Sequence, residues 1–125
     1  MVRQPDGSIK AYPNACLHRG RKLKDYDGHC EEIRCPFHGF AWALEGELAD
    51  VPAKWDFPHV EERQEQDFSL PECAVDTWAG FVFINPDKNC EPLSDFLGGI
   101  KEQFEIWNLE DRCVEAHVTK IIGAN

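Results

Sequence analysis

Two short stretches constrain this chain more than anything else in it: CLHRG at 16–20 and CPFHG at 35–39. The first is a Cys-x-His pair, the second a Cys-x-x-His pair, and 16 residues separate His18 from Cys35. Cysteine thiolate and neutral imidazole are the usual ligands of zinc and of iron–sulfur clusters. Each pair sits on one tight turn, and the spacer lets two such turns meet face to face. The fold must therefore present two loops side by side. Gly20 and Gly39, at the ends of the two stretches, permit sharp turns and close backbone approach. Pro36 stiffens the second loop.

Two kinds of centre compete for these ligands. One is zinc held by two Cys and two His, a structural module. Zinc pairs, however, usually have two or more residues between ligands, and Cys16-x-His18 is tighter. The other is a Rieske [2Fe-2S] centre, in which two Cys hold one iron and two His hold the other. There each loop donates one Cys and one His and spans both irons, which accounts for the mixed pairs.

The remaining composition narrows the setting. At 125 residues the chain has room for one domain with a modest core. Its formal net charge is −10, with 23 acidic against 13 basic side chains, which argues against a nucleic-acid partner. No long apolar run points to a membrane span, and the N-terminal MVRQPDGSIK lacks the apolar centre of an export signal. A reducing, cytoplasmic location is the expectation, where six cysteines lean toward metal or free thiols rather than disulfides.

Turn signals recur at PDG 5–7, YDG 26–28, EG 45–46 and NPD 85–87. Between them lie short runs of strand character: SIKAY (8–12), FAWAL (40–44) and FVFIN (81–85), the last apolar on both faces as in a central strand. Short strands spaced by turns predict an all-β chain, a small antiparallel barrel or sandwich. Residues 54–72 read as a polar surface loop with a short strand near DFSL. Leu93, Phe96, Ile100 and Phe104 recur at helical spacing, with Ser94 as N-cap, although Gly98–Gly99 weakens the pattern. CVEAHVTKII (113–122) returns to alternation and predicts a further strand.

CLHRGRKL and CPFHGF resemble the two cluster loops of Rieske non-haem iron oxygenases, the α subunits of ring-hydroxylating oxygenases. DTWAGFVFINPD (76–87) resembles the strand that follows those loops, and VEAHVTKIIGAN the stretch leading into the family's catalytic domain. The resemblance covers about residues 2–125. Phe40 departs from it, since the family often has Trp there; that should alter packing under the cluster and not ligation. The resemblance implies that Cys16 and Cys35 bind one iron and His18 and His38 the other. Two imidazoles in place of two thiolates remove negative charge and raise the reduction potential, to roughly −150 to +300 mV. It further implies a domain division: a Rieske domain over 1–90, then a helix and exit strand over 91–125 leading towards a catalytic domain. A ferredoxin or flavin reductase would supply electrons. They would pass through His38 to a mononuclear Fe(II) in that absent domain, where dioxygen is activated and an aromatic or related substrate hydroxylated. A homotrimer or α3β3 assembly is implied for the full-length protein.

That mononuclear site needs two His and a carboxylate. His29, His59 and His117 are too scattered to supply it, so the sequence reads as a fragment. No catalytic acid, base or nucleophile is assigned within it. His59 and His117 read as surface or half-buried residues, and Cys30, Cys73, Cys90 and Cys113 as free thiols. Arg19, Arg21, Lys22 and Lys24 form a basic cluster, either a solvated loop or a guide for an acidic electron donor; Arg19 could instead pair with a carboxylate near the cluster. Trp42, Trp55, Trp78 and Trp107 read as core or interface packing. A stand-alone Rieske ferredoxin is the alternative, disfavoured by the long tail after NPD.

Overall fold

The computed structural model describes residues 1–58, 60 and 68–123. Its strands are short and form three antiparallel sheets. β1 (Val2–Arg3) pairs with β2 (Ile9–Lys10). β3 (Ile33–Arg34), β4 (Ala41–Trp42) and β5 (Leu48–Asp50) form the second sheet in that order. β6 (Ala74–Trp78) pairs with β7 (Phe81–Asn85). A bridge between Ala11 and Cys73 ties the first sheet to the third. The expected all-β architecture is what forms, with a helical turn at Lys54–Asp56 and further short helices towards the C-terminal end.

The core lies under the second sheet. Trp42 and Val51 are its largest fully buried side chains, joined by Leu23, Ile33, Phe40 and Leu70. Burying an indole also buries its N–H, and Trp42 Nε1 donates to the Phe68 carbonyl at 2.9 Å. Of the four tryptophans only Trp42 reaches this core. Trp55 and Trp107 are exposed, and Trp78 packs edge-on against Phe104 at 6.2 Å.

Several expected elements change. FAWAL contributes only Ala41–Trp42 as strand, because a register shift there breaks the ladder with β5. Ala41 is as buried as Trp42, so both faces of this stretch are covered. SIKAY shortens to Ile9–Lys10 plus the Ala11 bridge. FVFIN spans the expected residues but is no central strand: among the described residues β6 is its one neighbour, and Phe81 and Ile84 stand exposed. The single helix expected after Pro92 is two, α1 (Leu93–Leu97) and α2 (Ile100–Phe104). Gly98 separates them at φ 47°, ψ −131°, a conformation no helix continues through. The N-cap of α1 is Pro92, not Ser94, which lies inside the helix with its hydroxyl donating to Asp95 Oδ1 at 3.0 Å. Residues 112–123 form no strand; a strand needs a ladder partner, and no described strand lies alongside them. Phe68–Leu70 is not strand either, while His59 and most of the 54–72 loop beyond Val60 lie outside the described residues.

Candidate metal centre

The two ligand stretches fold into loops with one backbone pattern. In the first, the Cys16 N–H donates to the Arg21 carbonyl at 2.8 Å and the Gly20 N–H to the Cys16 carbonyl at 2.8 Å. In the second, the Cys35 N–H donates to the Phe40 carbonyl at 2.8 Å and the Gly39 N–H to the Cys35 carbonyl at 3.1 Å. Both loops thus start on Cys and close on a glycine four residues later, at φ 71° for Gly20 and φ 80° for Gly39. The left-handed closure is what glycine supplies. The histidine differs: it is the third residue of the first loop and the fourth of the second. Equal frames with unequal histidine positions explain the unequal spacings in the sequence.

The second loop is the connection of the β3–β4 hairpin, held by the pairs Ile33–Trp42 and Arg34–Ala41. The Arg34 guanidinium secures it from outside. It donates to the Gly39 carbonyl at 2.7 Å and pairs with Glu32 and with Asp50 on β5. The first loop has no strands at its base, and Asn14 does that work. Its Oδ1 accepts from the Leu23 and Lys24 N–H groups at 3.1 and 2.9 Å, and its Nδ2 donates to the Lys24 carbonyl at 2.7 Å. Sequence reading passed over Asn14, Arg34 and Phe57. Asn14 carried a signal, a turn-forming residue just ahead of a ligand; Phe57 carried none.

All four expected ligand residues come together. Cys16 and Cys35 are buried, at 4% and 2% exposure, and their thiols lie in hydrogen-bonding contact with each other. Burial pushes the Cys16 thiol up, against backbone N–H groups of His18 and Arg19 that favour the thiolate. Burial acts the same way on Cys35, yet N–H groups of Phe37 and His38, the Cys16 thiol and the Arg21 charge together hold it below the usual thiol range. Such N–H groups are the donors a cluster thiolate needs. The rings of His18 and His38 lie 4.8 Å apart, tilted by 60°. His18 is half-buried and His38 exposed. Burial, the neighbouring His38 and Arg19 push His18 down, keeping it the neutral imidazole a metal needs.

One atom tests whether a metal group fits. His18 Nδ1 is buried and has no hydrogen-bond partner. A buried ring nitrogen left unpaired is costly unless something binds it. It lies in the same site as two buried thiols and a second imidazole, the donor set of a Rieske centre. Among the described residues no three His, Cys, Asp or Glu side chains converge closely enough to hold a single ion. Thiol beside thiol and imidazole beside imidazole is the arrangement that a two-iron cluster with mixed ligands needs.

The other expected residues stand apart. Cys30, Cys73, Cys90 and Cys113 are unpaired thiols. The basic cluster is partly neutralised, with Arg21 and Lys22 at 3.1 and 3.6 Å from Asp25. No described carboxylate lies within ion-pair distance of Arg19.

Residues 1–62 match the model of the Rieske [2Fe-2S] domain. The large oxygenase component of the naphthalene 1,2-dioxygenase system of Pseudomonas putida is 37% identical over 123 residues, 97% of this chain and 26% of that protein. The carnitine monooxygenase oxygenase subunit of Acinetobacter baumannii is 35% identical over 104 residues, 82% of this chain and 27% of that protein. Among solved structures, a quaternary ammonium Rieske monooxygenase superposes with a TM-score of 0.75 at 33% identity, covering 87% of this chain and 30% of that one. The chain spans less than a third of the length of these relatives. Its loops, its donor set and these likenesses agree: the chain belongs to the Rieske [2Fe-2S] domain family, in the branch of the Rieske oxygenase α subunits.

Proposed function

We propose that Cys16 and Cys35 hold one iron and His18 and His38 the other iron of a Rieske [2Fe-2S] cluster, and that the domain relays single electrons within a ring-hydroxylating or related oxygenase. The observation that supports this most is the unpartnered, buried Nδ1 of His18 beside His38 and the thiol pair. When bound, the cluster supplies one-electron redox chemistry at a potential raised by its two neutral ligands. The chain's own residues do the rest. The loop N–H groups stabilise thiolate at Cys16 and Cys35. Burial excludes water from the thiol side. His38, exposed at the tip of its loop, leaves one edge of the site open to a partner.

In the full-length protein the proposed donor is a ferredoxin or flavin reductase, and the proposed acceptor a mononuclear Fe(II) in a catalytic domain that activates dioxygen. The relatives are components of multi-component oxygenase systems, which supports such partners. A homotrimer or α3β3 assembly, a division into a Rieske unit over 1–90 and a linking segment over 91–125, and a cytoplasmic location belong to the same proposal. No described helix is long and apolar enough to cross a membrane. The six unpaired cysteines suit a reducing compartment.

Iron and acid-labile sulfide analysis tests the ligand assignment. Anaerobically purified wild type is expected to hold iron and sulfide in the ratio of a [2Fe-2S] cluster. Cys16→Ser, Cys35→Ser, His18→Ala and His38→Ala should each lose most of both. Zinc without sulfide in the wild type, or full retention in any one variant, would contradict it.

A further inference from the structure

The two imidazoles of the site are held in different ways. Phe37 covers His38 at a ring separation of 3.9 Å, but Phe37 is itself 61% exposed. His18 faces a buried wall. The Phe40 ring stacks on it at 4.9 Å with only 23° between the planes. Phe57 meets both rings edge-on, at 5.9 Å and 87° to His18 and at 5.4 Å and 85° to Phe40. Behind Phe40 stands Trp42, 6.4 Å away and nearly parallel. One stacked face and one perpendicular edge are the two arrangements aromatic quadrupoles favour. Together they restrict rotation of the imidazole about its Cβ–Cγ bond. Backbone structure places the wall: the Phe40 carbonyl closes the second ligand loop, so the residue that completes one loop braces the histidine of the other.

Beside this wall lies a cavity of about 190 Å³, lined by His18, Phe40, Trp42 and Phe57 among others. Among the described residues, what meets the His18 ring on that side is the pair of aromatic contacts from Phe40 and Phe57. The cavity also leaves room for a larger flat side chain at position 40.

We propose that Phe40, braced by Phe57, is a positioning residue that sets the plane of the His18 imidazole and so the symmetry of the metal centre it serves. This rests on the Rieske reading above. It goes beyond ligation, because Phe40 supplies no donor atom. A core-filling phenylalanine and a positioning one differ in what a slightly smaller aliphatic replacement does. A filler accepts Phe40→Leu with little change. A positioner does not, because leucine has no flat face to lay against an imidazole.

The test is EPR and redox titration of the reduced, cluster-loaded full chain as wild type, F40L and F40W, with thermal melting of the cluster-free forms. Wild type and F40W, which keep a flat face, should share g values and narrow lines. F40L should show broadened lines and shifted g values. Its potential should move upward, since water reaching the uncovered imidazole favours the reduced, more negatively charged state. A cluster-free F40L that melts like wild type completes the expected result. F40L with the wild-type g values and potential would overturn the assignment. So would a cluster-free F40L without a cooperative melt, which would make the ring a requirement of the fold and not of the histidine's orientation. A wild type that holds zinc and no sulfide would overturn the Rieske reading and the clamp with it, whereas an unchanged F40L in a cluster-loaded series overturns the clamp alone.

Discussion

Gly39 shows how closely single atoms govern the ligand loops. A Cβ at Gly39 would sit 3.0 Å from Pro52 Cγ, on a backbone at φ 80°. At Gly20, φ 71°, a Cβ would meet nothing within 4 Å. Left-handed backbone costs a non-glycine residue about 1–2 kcal/mol, so both Gly→Ala variants should lose that much. Gly39→Ala should lose more, because Pro52 must also shift. Urea unfolding of the two variants side by side checks the ranking; equal losses would contradict it. Asn14 offers a second case. Asn14→Ala strips partners from two N–H groups and a carbonyl at the base of the first loop, and is expected to cost about 1–3 kcal/mol by the same measurement. The meeting of Cys16 with Cys35 and of His18 with His38 was legible in the sequence, because residue type and spacing declare it. Arg34 and Phe57 were not, because a brace is defined by what it touches across the fold, and nothing in its own neighbourhood marks it.

Elements were legible where turn chemistry bounds them. β7 matches the run FVFIN residue for residue, whereas β3 was not legible, because it is two residues, Ile33–Arg34, directly after Glu31 and Glu32. Which face of a strand is covered is not written in the strand's own residues. Phe81, Val82 and Ile84 suggest a strand covered on both sides, but burial depends on a second layer, and among the described residues β6–β7 is a sheet of two strands. The alternation in 113–122 likewise describes a strand that lacks a ladder partner among the described residues. Gly98–Gly99 outweighed the helical spacing of Leu93 to Phe104, as backbone freedom beats periodicity in a segment this short. Trp42 carries the second sheet. Trp42→Ala should destabilise the fold by about 3–5 kcal/mol, and Trp42→Phe by less, through loss of the indole hydrogen bond to the Phe68 carbonyl. Denaturant unfolding followed by far-UV circular dichroism distinguishes them; a Trp42→Ala loss under about 1 kcal/mol would contradict its place at the centre of the core.

For the molecule as a whole, long-range contacts should appear in titration and in partner binding. Tyr12 donates its hydroxyl to the Leu44 carbonyl at 3.1 Å, tying the first sheet to the second. Burial, then the charges of Glu72 and Glu45, raise it from 10.0 to about 12. A phenol raised on folding adds stability that is complete below its ordinary range and lost as pH climbs through about 12. Tyrosine absorbance should therefore show a late alkaline step that Tyr12→Phe removes. On the surface, Arg21 and Lys22 are shared with Asp25 yet remain half-exposed cations in a chain of net charge −10. Replacing both with Ala should slow reduction by an acidic donor protein and flatten its salt dependence; stopped-flow rates across ionic strength would show it, and unchanged rates would count against a docking role. The central claim is that two imidazoles share the centre with two thiolates, and the reduction potential of the cluster-loaded chain tests it most directly. A potential within roughly −150 to +300 mV is expected from mixed ligation, and one near about −400 mV, the value of an all-cysteine centre, would contradict it.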